Sequence, residues 1–245
     1  YAVGNFGFYD TDGVWIEDFA RFVPDEQRWE GLECLNPSFD GMDVLGWRDP
    51  QDTLYATGFK GSICGYPESC VFTYDGNAFA PWPPFEQIPP HPNNYVGLVF
   101  KFRGCTYVSG TFLDPVIGSG WTSFIRYCGN AWEHVPGGEA IWGVKDYLIQ
   151  GDTLLYLGGP FRTATGAPGN LVVSYDGTSW SDLGGGLEYT PAPSLGQAWD
   201  LMAWHGAVYA CGSFTGAGGI PALCLAKWNG YQWCGFPGEL DLGTQ

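Results

Sequence analysis

The chain has 245 residues, and 26 Asp and Glu against 10 Lys and Arg give it a formal net charge of −16. A nucleic-acid binder needs a basic surface that displaces counterions from phosphates, so this balance argues against nucleic acid and anionic lipid as partners. The aromatic content of 17% excludes a disordered acidic chain, because disordered chains are poor in aromatic residues. No stretch is apolar enough, without Gly or Pro, to predict insertion into a membrane.

A short motif that begins with Tyr and continues through Gly to Phe recurs five times, at intervals of roughly 50 residues. Each copy predicts a β-strand. The copies begin at Tyr1, Tyr55, Tyr107, Tyr156 and Tyr209. Before the last four copies, an aliphatic residue followed three positions later by an aromatic predicts a further strand. These pairs are Val44 and Trp47, Val99 and Phe102, Val144 and Tyr147, and Leu201 and Trp204.

Each copy is followed by two aromatic residues that flank a turn. The turns read Asp75-Gly76, Cys128-Gly129, Asp176-Gly177 and Asn229-Gly230, and such dipeptides between apolar runs predict two-residue hairpins. The aromatics are therefore expected on adjacent antiparallel strands. The pairs are Phe22 and Trp29, Tyr74 and Phe79, Tyr127 and Trp132, Tyr175 and Trp180, and Trp228 and Trp233.

Repeats of four short strands without a helix predict an all-β fold, a β-propeller with five four-stranded blades in a single domain, residues 1–245. The repeats lie near residues 1–41, 42–94, 95–140, 141–197 and 198–245. A β-sandwich is the alternative, but it does not explain a pattern that stays in phase five times.

The fourth repeat resembles a kelch repeat through Leu155-Tyr156-Leu157-Gly158-Gly159, Tyr175-Asp176-Gly177 and Trp180. The fifth is similar to divergent kelch-type repeats of secreted and cell-surface proteins. The resemblance implies a propeller, a fold that serves binding scaffolds, oxidases and structural surface modules. In such propellers the last stretch of chain commonly supplies the missing strand of blade one, which predicts that residues 238–245 close the ring. The alternative is a piece of a longer propeller.

Eight cysteines without metal-ligand spacing indicate a secreted or cell-surface protein with disulfides, although free buried thiols in a cytosolic protein stay an alternative. The predicted hairpins place two pairs nearly opposite each other, one loop holds a third pair, and the remaining two cysteines become neighbours only in a closed ring. The candidate disulfides are Cys105–Cys128, Cys211–Cys224, Cys64–Cys70 and Cys34–Cys234.

Most of the 12 Trp occupy repeat positions and are expected in the core between blades. These are Trp29, Trp47, Trp132, Trp142, Trp180, Trp199, Trp204, Trp228 and Trp233. Three Trp lie outside the pattern, and Trp15, Trp121 and Trp82 are therefore candidates for binding a glycan or a protein partner through exposed aromatic faces. Local packing within loops is the competing interpretation.

The segment Asp10-Thr11-Asp12-Gly13 with Glu17 has the carboxylates that Ca²⁺ prefers, but not the spacing of a calcium loop, and we favour a solvated turn. The three His lie in different repeats, and no catalytic motif of a hydrolase or phosphate-binding loop occurs. A kelch-type copper oxidase would need Tyr, His and Cys on one face, which this spacing does not supply. No catalytic residue and no resident cofactor are predicted.

These observations predict an extracellular kelch-like β-propeller that acts as a binding or structural surface module, with a protein or glycan partner at its loop face. One alternative is a structural subunit of a surface layer or an extracellular filament. A second is a glycoside hydrolase with carboxylates near the propeller axis, since two or three carboxylates suffice for that chemistry.

Overall fold

The computed structural model describes residues 2–10, 12–31, 42–48, 54–61, 68–76, 78–151, 153–162 and 169–236. In this part of the chain antiparallel strands form five sheets, and the helical segments are two 3-10 turns, Pro83–Gln87 and Pro193–Leu195. The predicted all-β class is therefore confirmed, whereas the five-bladed ring stays a prediction. None of the helical segments described has the length and apolar character needed to span a membrane.

The chain divides into two compact bodies. The N-terminal body comprises Tyr1–Lys101 and Cys105–Glu133, and the C-terminal body comprises Phe102–Gly104 and His134–Gln245. Repeats one to three supply most of the N-terminal body, and repeats four and five supply most of the C-terminal body.

The N-terminal body contains a three-stranded sheet and an eight-stranded sheet. The first consists of β1 (Ala2–Tyr9), β2 (Trp15–Val23) and β3 (Arg28–Gly31). The second joins two four-stranded meanders through one bridge between Phe59 and Tyr95. Its strands are β4 (Met42–Arg48), β5 (Leu54–Gly61), β6 (Ser69–Tyr74), β7 (Phe79–Pro81), β8 (Tyr95–Phe102), β9 (Cys105–Leu113), β10 (Trp121–Cys128) and β11 (Ala131–His134).

The C-terminal body holds two further four-stranded meanders and a small sheet. Repeat four forms β12 (Asp146–Gln150), β13 (Leu154–Arg162), β14 (Asn170–Tyr175) and β15 (Trp180–Ser181). Repeat five forms β17 (Gln197–Trp204), β18 (Ala207–Ser213), β21 (Leu225–Trp228) and β22 (Trp233–Gly235). The small sheet consists of β16 (Leu187–Glu188), β19 (Gly216–Ala217) and β20 (Ile220–Pro221). The predicted four-strand unit is thus present in repeats two to five.

All five predicted aromatic pairs are in contact. Their ring centroids lie 5.2 Å apart in Phe22–Trp29, 4.8 Å in Tyr74–Phe79, 5.2 Å in Tyr127–Trp132, 4.4 Å in Tyr175–Trp180 and 5.5 Å in Trp228–Trp233. Four of these pairs are direct partners in the strand ladders. Cross-strand aromatic pairs stabilise a hairpin beyond their burial. The last two strands of every repeat are therefore held together by the same contact.

The turns between these aromatics are shifted by one residue from the prediction, in which the Asp-Gly dipeptide itself forms the two-residue turn. In repeat four the N–H of Asp176 donates to the Ser179 carbonyl (3.1 Å), so Gly177 is the first of two central residues, with φ of +93°. The Asp176 carboxylate flanks the turn and accepts the N–H of Ser179 at 2.7 Å. The acidic residue therefore caps the hairpin instead of occupying its centre, and these backbone hydrogen bonds lower the pKa of Asp176.

A hydrogen bond between successive repeats recurs three times. The indole N–H of Trp132 donates to the Pro84 carbonyl (3.0 Å), and that of Trp180 to the Pro136 carbonyl (2.9 Å). Trp233 donates to the Leu183 carbonyl at 2.7 Å. Each Trp lies on the fourth strand of its repeat, and each acceptor lies in the segment after the fourth strand of the preceding repeat. In each case the indole and its acceptor lie within one of the two bodies.

The opening tyrosine of repeat four shows which face of that repeat packs on repeat five. Tyr55, Tyr107 and Tyr156 are buried. In the C-terminal body Tyr156 belongs to the core that the sheet of repeat five covers. Gly158 lies on the same strand, and a side chain at this position would already crowd repeat five, because its Cβ would lie 3.3 Å from the side chains of Ala198 and Leu201. The sheets of repeats four and five therefore approach closely at Gly158. The fifth tyrosine, Tyr209, is only half-buried, next to the exposed Trp204.

The expectation that the repeat-position Trp are core residues is only partly correct. Trp228 and Trp233 are buried, and Trp132 and Trp180 are half-buried. Four others are between 38% and 57% exposed, namely Trp29, Trp142, Trp199 and Trp204. Trp199 and Trp204 lie on β17, and Trp199 occupies an irregular register between Ala198 and Asp200. Such a bulge turns a side chain away from the regular alternation of the strand.

The disulfide predicted between Cys105 and Cys128 is present, with a Cα–Cα distance of 4.7 Å across the hairpin of β9 and β10. Cys211 and Cys224 are thiols in this structure, although Gly212 donates its N–H to the Cys224 carbonyl (3.1 Å) and so places the two cysteines near each other. Their disulfide stays a prediction. The pairs Cys64–Cys70 and Cys34–Cys234 each include a residue outside the described part of the chain, as does the closing segment 238–245.

Replacement of Trp233 by Phe tests the hydrogen bond between repeats. The buried Leu183 carbonyl would lose its indole donor, so we expect the free energy of unfolding to fall by about 1–3 kcal/mol. Urea denaturation measures the change. Trp142→Phe is the matched control, because Trp142 is 48% exposed, and it should leave stability within about 0.5 kcal/mol. Equal effects of the two substitutions would contradict the proposed role.

Candidate functional site

Two connecting segments of the N-terminal body meet at one end of the eight-stranded sheet. Residues 114–120 join β9 to β10, and residues 82–94 join β7 to β8. In an antiparallel meander the connection between the second and third strands lies at the same end as the connection to the next repeat. We call the surface formed there by His91, Val116, Ile117 and Trp121 the loop face.

Asn94 fixes the connecting segment at the loop face. Its side chain is buried, its Nδ2 donates to the Pro89 carbonyl (3.0 Å), and its Oδ1 accepts the N–H of Leu113 (3.1 Å). The N–H of Asn94 donates to the His91 carbonyl at 3.1 Å. His91 in turn accepts the N–H of Asn93 at its Nδ1 (3.1 Å), which orients the imidazole ring. The end of β9 and residues 89–94 are therefore held in one arrangement.

Asp114 holds the second connection. This carboxylate is 4% exposed, and its Oδ1 accepts the N–H groups of Val116 (2.8 Å) and Ile117 (3.3 Å). The Asp114 N–H donates to the Gly120 carbonyl at 3.0 Å and closes the loop. The loop exposes Val116 by 42% and Ile117 by 64%. Because the backbone is already fixed, binding at these two side chains would cost little ordering entropy.

Trp121 completes the loop face. Its ring is 49% exposed and meets His91 edge to face, with centroids 4.9 Å apart and an interplanar angle of 86°. A half-exposed aromatic ring that is held by a neighbouring ring can pack on the apolar side of a sugar or on an apolar side chain. The loop face therefore combines a rigid aliphatic pair with an oriented indole.

A cleft of about 260 Å³ opens beside Asn94. Its lining is apolar at Phe85, Ile88 and Pro90 and acidic at Glu68 and Glu86, and the remaining lining residues are Ser69, Cys70 and Asn94. The Cys70 thiol donates to the Asn94 carbonyl (3.3 Å) at the buried side of the cleft. The cleft thus extends the loop face with apolar surface and negative charge.

The other predicted ligand-binding Trp do not belong to the loop face. Trp15 is 50% exposed, but its ring packs on its own hairpin, across Gly7 and edge-on to Tyr9 at 4.9 Å. Trp82 is 8% exposed and lies in the core, with ring centroids 5.9 Å from both Tyr55 and Trp132. Trp82 is therefore a core residue and not a surface ligand site, because the neighbouring rings cover it.

The carboxylates considered for calcium serve other contacts. Asp10 Oδ1 accepts the N–H groups of Asp12 (2.9 Å) and Val14 (2.8 Å), which makes it the cap of the turn between β1 and β2. The Asp12 carboxylate lies 3.8 Å from the Arg28 guanidinium. The side chain of Glu17 is outside the described residues. Where side chains are described, no cluster of three or more His, Cys, Asp and Glu is arranged to hold a metal ion.

A pair of carboxyl groups in the C-terminal body has no counterpart in the sequence motifs. Asp146 Oδ2 accepts the N–H of Leu201 at 2.7 Å, and Asp200 comes immediately before Leu201 on β17. Burial, together with the Asp200 carboxyl group, raises the pKa of Asp146 from 3.8 to about 6, although the N–H of Leu201 opposes this shift. Burial also raises the pKa of the nearby Cys211, and both carboxylates add to that effect.

No protein-family model matches the sequence, and a search of curated proteins finds no significant similarity.

Replacement of Asp114 by Ala tests whether the loop is held in place by its carboxylate. The N–H groups of Val116 and Ile117 would lose their acceptor, so their hydrogen exchange should accelerate while the exchange of β9 core amides changes little. We expect a stability loss of about 1–3 kcal/mol, because Asp114 is buried. Hydrogen exchange followed by mass spectrometry measures both effects. Unchanged exchange over residues 114–120 would mean that the loop is ordered by other contacts.

Proposed function

We propose that this chain is an extracellular, kelch-like β-propeller of five blades that binds a protein or glycan partner through its loop face. Three observations support the proposal. The four-strand unit and its aromatic hairpin recur in phase, the Cys105–Cys128 disulfide fits an oxidising environment, and the loop face presents exposed apolar side chains on a rigid frame.

Closure of a five-bladed ring would cover two aromatic surfaces that are exposed in the separate bodies. The Trp29 indole occupies the position at which Trp132, Trp180 and Trp233 donate to a preceding repeat, yet it is 38% exposed. At the other end of the repeat series, Trp204 is 56% exposed beside Tyr209. In a ring of five blades, repeat five precedes repeat one, so both surfaces would be covered.

Two substitutions test ring closure. If the ring is closed, Trp29→Phe should cost about 1 kcal/mol and Trp204→Ser about 2 kcal/mol or more, because a buried hydrogen bond and a buried aromatic surface are lost. Chemical denaturation measures both. If both side chains are solvated, each substitution should change stability by less than about 0.5 kcal/mol, as an exposed position would.

Self-association would instead favour the structural-subunit alternative. An exposed apolar sheet face can bind a different face of a second copy. If repetition of that contact does not return to the first copy to form a ring, the copies build a filament. Light scattering over a concentration series distinguishes the two proposals. Assembly that grows with concentration and is abolished by Trp204→Ser would support a filament subunit, whereas a stable monomer supports the closed ring.

The exposed Trp121, in contact with His91, is the observation that carries the binding function. Rigid aromatic and aliphatic anchors contribute most of the energy at interfaces, because their burial is large and their loss of entropy is small. Negative charge at Glu68 and Glu86, together with a net charge of −16, favours a neutral or cationic partner over an anionic one.

Binding assays with loop-face variants test this function. A multivalent form of the protein should bind members of a glycan array or of an array of purified ectodomains, and Trp121→Ala and Ile117→Ala should each weaken that binding about tenfold or more. Tyr231→Ala is the control, since Tyr231 is 91% exposed in the other body and should retain full binding. Absence of binding on both arrays, or equal loss in all three variants, would contradict the proposal.

A further inference from the structure

The cleft beside Asn94 combines a buried apolar floor with an exposed acidic rim. Phe85 and Ile88 line the cleft and are buried, so they form its floor. Glu68 and Glu86 line the same cleft and are exposed, so they form its rim. The volume of about 260 Å³ is below the roughly 300–1,000 Å³ of pockets that enclose whole small molecules. The cleft therefore suits a single inserted side chain.

The uncharged polar groups of the cleft already have partners within the protein. The Ser69 hydroxyl donates to the Val71 carbonyl (3.2 Å) and accepts the N–H of Val71 (3.3 Å). The side chain of Asn94 makes the two hydrogen bonds described above, and the Cys70 thiol donates to the Asn94 carbonyl. Recognition in the cleft therefore depends on apolar contact with the floor and on the charge of the two rim carboxylates.

The wall that carries one of these acids is fixed before any ligand binds. Phe85 and Glu86 lie in the 3-10 turn Pro83–Gln87. The N–H of Phe85 donates to the Trp82 carbonyl (2.9 Å), and the N–H of Ile88 donates to the Phe85 carbonyl (3.0 Å). Because the turn is ordered by these bonds, insertion of a side chain would cost the protein little conformational entropy.

We propose that this cleft is a subsite for a lysine side chain of the protein partner. The aliphatic stem of the lysine packs on Phe85 and Ile88, and its ammonium group pairs with the carboxylates of Glu68 and Glu86. A lysine side chain buries its stem while its charge stays at the wet edge, which matches a buried floor below an exposed rim. Of the described residues that line the cleft, none is Lys or Arg, so no internal cation competes for the carboxylates.

The positions of the two acids favour lysine over arginine. Glu68 directly precedes β6, whereas Glu86 lies in the 3-10 turn. An ammonium group is a compact charge that can pair with carboxylates on two different segments, whereas a guanidinium is best matched by both oxygens of one carboxylate. The inference rests on the proposed function, because the lysine belongs to the partner at the loop face. Pro90 of the cleft is followed directly by His91 of the loop face, so one partner can reach both.

Titration of the isotope-labelled full chain with blocked amino acids tests the subsite. The probes are the N-acetyl methylamides of lysine, of norleucine, which keeps the apolar stem without the ammonium, and of glutamate. The lysine probe should shift the amide NMR signals of Ser69, Ile88 and Asn94 and bind about threefold or more tightly than the norleucine probe. High salt should remove this difference, because the rim carboxylates are exposed to screening ions. The glutamate probe should bind most weakly.

Variants of the rim acids assign the preference to the two carboxylates. Glu68→Gln and Glu86→Gln should each reduce the preference for the lysine probe, and the double variant should bind the lysine and norleucine probes equally. Asp25→Asn is the matched control, because it removes an exposed negative charge from the same body at a residue that does not line the cleft. Equal binding of the lysine and norleucine probes to the wild-type chain would overturn the inference. So would absence of shifts at these three amides.

The array experiment separates this inference from the proposed function, since the probe titration involves no residue of the loop face. A protein captured by the loop face should lose about threefold or more of its affinity in the double variant. An array partner that binds the double variant and the wild-type chain equally would overturn the assignment of the lysine to that partner. A lysine preference in the titration without any array partner would support the subsite and contradict the loop-face function alone.

Discussion

The hydrogen bond from a fourth-strand indole to the preceding repeat sets the spacing of this fold. A four-stranded sheet of this size is marginal by itself, because it exposes apolar residues on both faces. Within each body, packing of one sheet on another covers those faces, and the indoles of Trp132, Trp180 and Trp233 each donate to a backbone carbonyl of the segment that follows the preceding repeat's fourth strand. The aromatic hairpin that carries each Trp is thus both an internal stabiliser and a connector.

Aspartates organise the loops in the same way that tryptophans organise the sheets. Asp10, Asp114 and Asp176 each accept two backbone N–H groups through one carboxylate oxygen. Short acidic side chains cap turns well, because they reach the amides two to four residues ahead. Part of the acid excess is therefore a structural property of the turns. The remainder gives the surface a negative field that disfavours anionic partners.

The repeat register was predictable from sequence, and with it most of the strand pairing. Two aromatic residues that flank a turn dipeptide such as Asp-Gly specify a hairpin locally, and five copies in phase predict a repeat of small sheets. The Cys105–Cys128 disulfide followed from the same register. The candidate site was predictable only at Trp121, since its partners His91 and Asp114 act through contacts that no local pattern reveals.

What the sequence determined by itself is the all-β repeat, because hairpin formation depends on residues a few positions apart. The tertiary structure decided which aromatic rings are buried, placing Trp82 in the core and leaving Trp121, Trp199 and Trp204 exposed. It also brought Asp146 to Leu201, which is 55 residues away. Such contacts depend on how two sheets face each other, and burial then changes the proton affinity of a carboxyl group whose local sequence is unremarkable.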